Sequence, residues 1–229
     1  MEEQWKPISK DLVLSTIIAV GFPFLAQWLY NLSGALLPMI LYYGLAWGIV
    51  KWRRGETGYF RKIKKKNLAY FWINTGVIVV GLILAYFARV EVEDPDPLGV
   101  SLTALIWAPL NASSEQLLWI YIFESWDLYR KENEEDSKNT SVFRIIGLIL
   151  FTVFVGTIHT FFWVKFLHTV NPAVVAGAIF VVITSISGYL HIIVWRKTKH
   201  MIFTFIPHLL LNLFPLFWTG YSMLPYLLK

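Results

Sequence analysis

Apolar runs of about 20 residues, the length that an α-helix needs to cross a bilayer, recur along almost the whole chain. The 229 residues are 56% hydrophobic and only 15% charged, whereas soluble domains carry about 25% charged residues. A short apolar segment at 219–228 is expected to be half inserted or to complete a last span. The sequence predicts an all-α, polytopic bundle of seven to eight transmembrane helices, forming a single membrane domain over residues 1–229. The predicted spans are 11–31, 33–52, 68–89, 101–126, 142–167, 172–195 and 201–218.

Composition excludes several kinds of site and partner. The chain has no cysteine, which excludes disulfides, thiolate metal sites and a cysteine nucleophile. The net charge of +5 comes mostly from one cluster beside a predicted span, so no nucleic-acid partner is expected. The first residues, MEEQWKPISKDLV, lack the pattern of a signal peptide, and the first apolar run is expected to be a retained span.

The loops predict an orientation in the membrane. Residues 51–66 hold eight Lys or Arg side chains against one Glu, and the positive-inside rule places such a loop in the cytoplasm. There it would lie near anionic lipid headgroups, or alternatively dock an acidic substrate tail. The acidic, proline-rich loop 90–99 then falls outside, and the loops 127–138 and 196–200 fall inside. A multi-pass membrane protein with a cytoplasmic amino terminus follows.

Polar side chains lie in the middle of three predicted spans. An acidic residue at that depth costs about 2.5–3.5 kcal/mol. Because polar side chains occur at this depth on three helices, we expect them to share one polar cavity. A lone Asn or His could instead serve only as an interhelical hydrogen bond. The mid-span residues are Asn111, Ser113, Ser114, Glu115 and Gln116 on the fourth span, His159 on the fifth, and His208 and Asn212 on the seventh. Residues nearer the predicted span ends are expected to be interfacial or solvated: Glu124, Lys165, His168, His191 and His200.

These residue types suit hydrolysis by an activated water. A carboxylate in an apolar pocket, such as Glu115, can act as a general base near neutral pH. Histidine at 159 or 208 can position the water, and Asn212 can donate to a developing oxyanion. The same carboxylate with two histidines could instead ligate zinc with one open position, although the sequence has no HExxH helix. No cofactor is predicted, with zinc left open.

In order and in membrane placement, these residues resemble the CPBP family of CAAX proteases and bacteriocin-processing enzymes, which includes the Ras-converting CAAX endopeptidase. The family's Glu-Glu-x-x-x-Arg, Phe-x-x-x-His and His-x-x-x-Asn/Asp motifs correspond to residues 115–120, 155–159 and 208–212. The last motif is intact, and the motif-bearing core covers about residues 100–215. Two positions of the first motif differ, with Gln116 for the second glutamate and Ile120 for the arginine, and Val155 stands for the phenylalanine of the second motif.

The resemblance implies an eight-helix intramembrane fold and an endopeptidase whose cavity opens to the cytosol. Glu115 and His159 would activate the water, and His208 and Asn212 would form the oxyanion site. The substrate would be a lipidated or other membrane-tethered peptide. The predicted substrate-binding residues are Asn111, Gln116 and Trp119, with no metal ligands.

Two other functions stay open at this point. The changes at Gln116 and Ile120 are also what a non-catalytic member of the same fold would show, acting as a scaffold, chaperone or immunity protein. A small transporter would use the same polar residues to line a pathway. Transporters of this kind often contain an inverted repeat with paired broken helices, and no such repeat is visible in the sequence.

Overall fold

A computed structural model gives the structure of the chain and describes residues 5–62, 68–129 and 137–229. It is helical throughout, as predicted; within these residues the only β-pairing is an isolated bridge between Arg89 and Val170. In chain order the elements are α1 (Ser9–Ser33), α2 (Leu36–Arg54), α3 (Ala69–Phe87), α4 (Pro97–Leu102), a π-helical turn (Thr103–Trp107), α5 (Ala108–Asp127), α6 (Ser137–Phe161), a 3-10 turn (Trp163–Lys165), α7 (Val175–Thr198), α8 (Ile202–Thr219) and α9 (Leu224–Leu227).

Five helical segments of the described chain are long and apolar enough to cross a membrane. They are α1, α3, α7, α8 and the segment Ser141–Lys165, which comprises most of α6 and the 3-10 turn after it. The predicted spans 33–52 and 101–126 are helical, as α2 and as the end of α4, the π-helical turn and α5, but they are not among these five, and that they cross the membrane stays a prediction. After α8 the chain forms only the four-residue α9, far short of the roughly 20 residues that a span requires. Parts of the predicted inner loops, residues 63–67 and 130–136, lie outside the described residues.

The chain divides into two compact units. The first comprises Met1–Glu56 and Leu117–Lys165 together with Lys229, and the second comprises Thr57–Gln116 and Phe166–Leu228. Helix α5 therefore contributes its beginning to the second unit and its end to the first. That the two units act as the single membrane domain expected from the sequence stays a prediction.

In the first unit, α1 packs against α2 and α6 around an aromatic core. The ring of Tyr42 is fully buried and stacks on Phe22 at 5.4 Å between centroids. On its other sides it meets Phe154 at 6.0 Å and Trp163 at 6.2 Å. Large aromatic rings in contact contribute about 0.5–1.5 kcal/mol per pair beyond their burial, so this cluster fixes how the three helices meet.

Buried ion pairs also join the helices of the first unit. Asp11, at the start of α1, receives two hydrogen bonds from Arg53, with Nε–Oδ1 at 2.7 Å and Nη2–Oδ2 at 3.0 Å. The Tyr121 hydroxyl donates to the same carboxylate at 3.0 Å. Glu124, expected to be solvated, is instead buried and pairs with Arg54 at 3.2 Å. The expectation for Glu124 was wrong because a partner on another helix takes the place of water.

In the second unit, α3 packs against α7 and α8, and α8 also contacts the π-helical turn. At one end, residues 57–62 meet the turn between α7 and α8, where Arg61 Nη1 donates to the carbonyl of Lys199 at 3.2 Å. At the other end, the amide of Val92 donates to the carbonyl of Thr219 at 2.8 Å. Two basic segments therefore share one end, and the acidic loop lies at the opposite end. Which of the two ends faces the cytoplasm stays a prediction.

Removing Asp11 should destabilise the first unit strongly. Asp11→Ala leaves the Arg53 guanidinium without its carboxylate, and breaking a buried pair in this way costs on the order of 3 kcal/mol. The matched control is Glu91→Ala, which breaks the pair with Arg89, where the Glu91 side chain is 62% exposed. The control should lose less than about 1 kcal/mol. Denaturant unfolding in detergent micelles measures both variants, and equal losses would contradict the structural role of the Asp11 pair.

Candidate active site

The backbone before Glu115 is wound in an unusual way. A π-helical turn, Thr103–Trp107, lies directly before α5, and Pro109 follows in the first turn of α5. Proline has no amide hydrogen and its ring crowds the carbonyl four residues earlier, which here is Leu105 inside the π-helical turn. The wider turn relieves that crowding and sets the rotation of α5. Turns of this type are rare in helices and are frequent at functional sites.

With this rotation, Glu115 lies inside the second unit and is only 1% exposed. Its Oε2 atom is 3.1 Å from Nε2 of His208 on α8. One turn earlier on α5, the Asn111 side-chain amide donates to the same oxygen at 3.1 Å. All three side chains are buried. The structure therefore brings together three residues that the sequence assigned to the site.

Gln116 contacts α8 one turn away from the Glu115–His208 pair. Pro207 lies inside α8 and has no amide hydrogen to donate to the carbonyl of Phe203, four residues earlier. The Gln116 Nε2 atom donates to the next carbonyl along the chain, that of Thr204, at 2.9 Å. Two neighbouring residues of α5 thus engage the same face of α8.

Two buried amide atoms in the second unit have no hydrogen-bond partner within the described part of the chain. They are Oε1 of Gln116, which is an acceptor, and Nδ2 of Asn212, which is a donor one turn beyond His208. A buried polar atom left unsatisfied costs about 1–3 kcal/mol, and native proteins keep few of them. A peptide group offers one acceptor and one donor, and so complements this pair of atoms.

His191 is a further member of this cluster. It was expected at the membrane interface, but it is 2% exposed, and its ring centroid lies 5.7 Å from that of His208. The error came from its nearness in sequence to the basic segment 196–200. Helix α7 continues to Thr198, so His191 lies about two turns inside the helix.

Asn74 on α3 was also missed. It is completely buried in an apolar run, and its Nδ2 atom lies 3.3 Å from both ring nitrogens of His191. The Ser187 hydroxyl donates to Asn74 Oδ1 at 2.8 Å. The criterion that identified Glu115, a polar residue at mid-span, applies equally to Asn74. Ser187 and His191 are four residues apart, on one helical face, which is a second signal.

His159 and Trp119 belong to the first unit. The His159 side chain is exposed, and its Nδ1 atom lies 2.7 Å from the carbonyl oxygen of Val155 on its own helix. Trp119 is buried against Phe151, with 6.0 Å between the ring centroids. The contacts of Glu115 described above all come from the second unit. The catalytic role of His159 and the substrate-binding role of Trp119 stay predictions.

Tyr59 links the basic loop to the helices of the site. Its hydroxyl donates to the carbonyl of Ser113 on α5 at 2.9 Å, and its ring packs against Phe205 of α8 at 6.2 Å. Desolvation raises the pKa of Tyr59 above its usual value, so the hydroxyl stays protonated and able to donate. Through this hydrogen bond the described part of the basic loop contacts α5 at Ser113, two residues before Glu115.

The geometry gives no support to the zinc alternative. Over the residues that the structure covers, no three His, Asp or Glu side chains are grouped so that they could hold a metal ion. Glu115 and His208 make a hydrogen-bonded pair, and His191 uses its ring nitrogens toward Ser187 and Asn74.

Comparison with known proteins adds no relative. No protein-family model, curated protein or solved structure matches the chain. The resemblance to the CPBP family rests on the three short motifs and remains an expectation.

A double-mutant cycle should detect the contact between Glu115 and His208. We expect Glu115→Gln and His208→Gln to show a coupling free energy of about 1–3 kcal/mol in unfolding, because the two side chains share one hydrogen bond in a buried setting. The control cycle pairs Glu115→Gln with His168→Gln, a change at an exposed histidine. It should be additive within about 0.5 kcal/mol. Additivity in the first cycle would show that the pair does not form.

Proposed function

We propose that this chain is a membrane-embedded endopeptidase in which Glu115 activates a water molecule against a peptide carbonyl. The observation that carries the proposal is the buried contact of 3.1 Å between the Glu115 carboxylate and His208. A buried acid beside an imidazole is a common arrangement for general acid–base catalysis. The attraction between the two groups is also stronger in a bundle of low dielectric than it is in water.

The chemistry assigned to the pair is a simple hydrolysis. The Glu115 carboxylate takes a proton from water as the water oxygen forms its bond to the carbonyl carbon. The carbon–nitrogen bond then breaks, and the proton passes to the leaving amine. His208, at hydrogen-bond distance from Glu115, orients the carboxylate and balances its charge through these steps.

The two unpartnered amide atoms would hold the substrate. Asn212 Nδ2 would donate to the carbonyl oxygen and stabilise the negative charge that develops there, a contribution worth about 2.7–4 kcal/mol where it has been measured in other hydrolases. Gln116 Oε1 would accept from the substrate's backbone N–H. In this assignment Gln116 binds the substrate. The general base is Glu115, so the glutamine that stands where the family has its second glutamate does not remove it.

The proposal assigns His208, in place of His159, to the water-activating pair. The resemblance favours His159, but the imidazole within hydrogen-bond distance of Glu115 belongs to His208. The side chain of His159 is exposed and its Nδ1 lies against its own helix backbone.

The setting of this activity is proposed from the sequence pattern. We place the chain in a membrane with seven spans, a cytoplasmic amino terminus and the basic loop 51–66 near anionic headgroups. The substrate is a lipidated or otherwise membrane-tethered peptide, which would approach the site from the membrane.

One observation favours a second candidate, a non-catalytic scaffold or chaperone. Ile120, at the position of the family's arginine, is 1% exposed and belongs to the apolar core of the first unit. Gln116 likewise contributes a structural hydrogen bond to Thr204. A scaffold would retain a stoichiometric partner on purification and would show no turnover.

Peptide cleavage should depend on Glu115 and His208. We expect Glu115→Gln and His208→Gln to lower kcat by about 100-fold or more, the usual contribution of a positioned general base. His159→Gln, a matched loss of an imidazole, should keep cleavage within about tenfold of the natural chain, since the proposed mechanism uses the imidazole of His208. The assay follows lipid-anchored peptides of mixed sequence, incorporated with the purified protein into vesicles, by mass spectrometry. Undiminished cleavage by Glu115→Gln would contradict the mechanism.

A further inference from the structure

A short non-helical segment of the second unit lies against the turn between α7 and α8. It comprises residues 57–62, which we call the strap. The amide of Met201 donates to the carbonyl of Gly58 at 3.2 Å, and His200 Nε2 donates to the carbonyl of Arg61 at 2.9 Å. The strap is therefore held by its backbone, at two points, to the start of the helix that carries His208. The proposed hydrolysis uses none of these residues.

Gly58 fixes where the strap lies. Its φ angle of +87° is in the left-handed region, which residues with a side chain rarely adopt. A Cβ atom at this position would lie 2.6 Å from two ring atoms of Trp195, a side chain of α7 that is completely buried. Glycine is thus required both for the backbone conformation and for the close approach of the strap to this ring.

Tyr59, the next residue of the strap, contacts both helices of the Glu115–His208 pair. Its hydroxyl donates to the carbonyl of Ser113 on α5 at 2.9 Å. Its ring meets the ring of Phe205 on α8 edge to face, with the centroids 6.2 Å apart and the planes inclined at 82°, a favoured arrangement for two aromatic rings. One side chain therefore connects α5 to α8.

Both contacts lie close to the pair along the chain. Ser113 is two residues before Glu115, and Phe205 is three residues before His208, on the same face of α8. Apolar helices in lipid gain little from the hydrophobic effect, so packing and interhelical hydrogen bonds set their separation. Tyr59 supplies one interaction of each kind.

The length of the Glu115–His208 contact depends on the separation of α5 and α8, because its two side chains come from different helices. The two atoms are 3.1 Å apart. A separation larger by about 0.5 Å would end the hydrogen bond. In enzymes, a misplacement of about 1 Å can lower the rate about 100-fold, so a residue that does not touch the substrate can still limit turnover.

We propose that Tyr59 is a positioning residue of the candidate site: held by the strap, it keeps α5 and α8 at the separation at which Glu115 and His208 form their contact. The catalytic consequence rests on the proposed function, but the effect on the contact itself does not. The strap is part of the basic loop 51–66, so this loop acts on the site through an uncharged side chain, in addition to the role of its charges in membrane topology.

A double-mutant cycle in two backgrounds tests this role. Glu115→Gln and His208→Gln are combined in the natural chain and again in Tyr59→Phe, which keeps the ring on Phe205 and removes only the donor to Ser113. We expect the coupling free energy, measured by unfolding in detergent micelles, to fall in Tyr59→Phe to less than about half of its value in the natural chain. A tyrosine that only stabilised the fold would leave the coupling unchanged.

Three further variants complete the test. Tyr70→Phe removes a hydroxyl from a tyrosine of α3 that is 37% exposed, and Lys62→Gln removes an exposed charge from the strap itself. Both should leave the coupling unchanged. Gly58→Ala displaces the strap without altering Tyr59, and it should lower the coupling at least as far as Tyr59→Phe does.

Peptide cleavage gives a second readout. Tyr59→Phe should lower kcat about tenfold and change KM by less than about twofold, because the residue acts on the pair and not on the substrate. An unchanged kcat in a chain whose coupling has fallen would overturn the positioning role.

The proposal is also overturned if Tyr59→Phe leaves the coupling as it is in the natural chain, if either control lowers it equally, or if a folded Gly58→Ala chain keeps it. A natural chain without coupling would overturn it as well, since there would be no contact to position. The cycle uses no substrate. A chain without peptidase activity can therefore satisfy it, and an active peptidase can fail it, so that the two proposals stand or fall separately.

Discussion

A carboxylate inside an apolar helical bundle has to find hydrogen-bond donors within the protein, because its removal from water costs several kcal/mol. Glu115 finds them in His208 and Asn111. The arrangement of the second unit is consistent with this one requirement. The π-helical turn rotates the acidic residue inward, and α8 presents an imidazole to it. The neighbouring helices α3 and α7 add a buried amide, a hydroxyl and a second imidazole, and the ring of that imidazole, His191, contacts the ring of His208.

The two units use polar groups in different ways. In the first unit, charges near helix ends are matched one to one, as between Asp11 and Arg53, and the hydroxyl of Tyr121 completes the set. Such a network holds the helices together. In the second unit the polar groups lie near the middle of helices, and Gln116 and Asn212 each leave an amide atom unfilled. In the proposed function, this donor and acceptor would bind the peptide group of the substrate.

The length of the apolar runs and the position of polar residues at mid-span allowed the helices and part of the candidate site to be predicted from the sequence. Apolar runs of span length gave the helices, because burial in lipid demands both that length and that composition. Position at mid-span gave Glu115, His208 and Asn111. The sequence could not show which face of a helix a residue occupies, and so it did not separate the exposed His159 from the buried His191. Nor could it show partners on other helices, and Glu124 was therefore expected in water although Arg54 takes that place.

The central claim is that water reaches the Glu115–His208 pair inside an otherwise apolar unit, and cysteine accessibility measures this directly. The chain has no cysteine of its own, so a single introduced thiol reports its own surroundings. Asn212→Cys lies one turn from His208, and Val79→Cys is a control on the outward face of α3, where Val79 is 46% exposed. With the protein in vesicles, a charged, water-soluble maleimide should label Asn212→Cys and leave Val79→Cys unlabelled, whereas a lipid-soluble maleimide should label Val79→Cys. Failure of the charged reagent to label Asn212→Cys above the level of the Val79→Cys control would contradict the account.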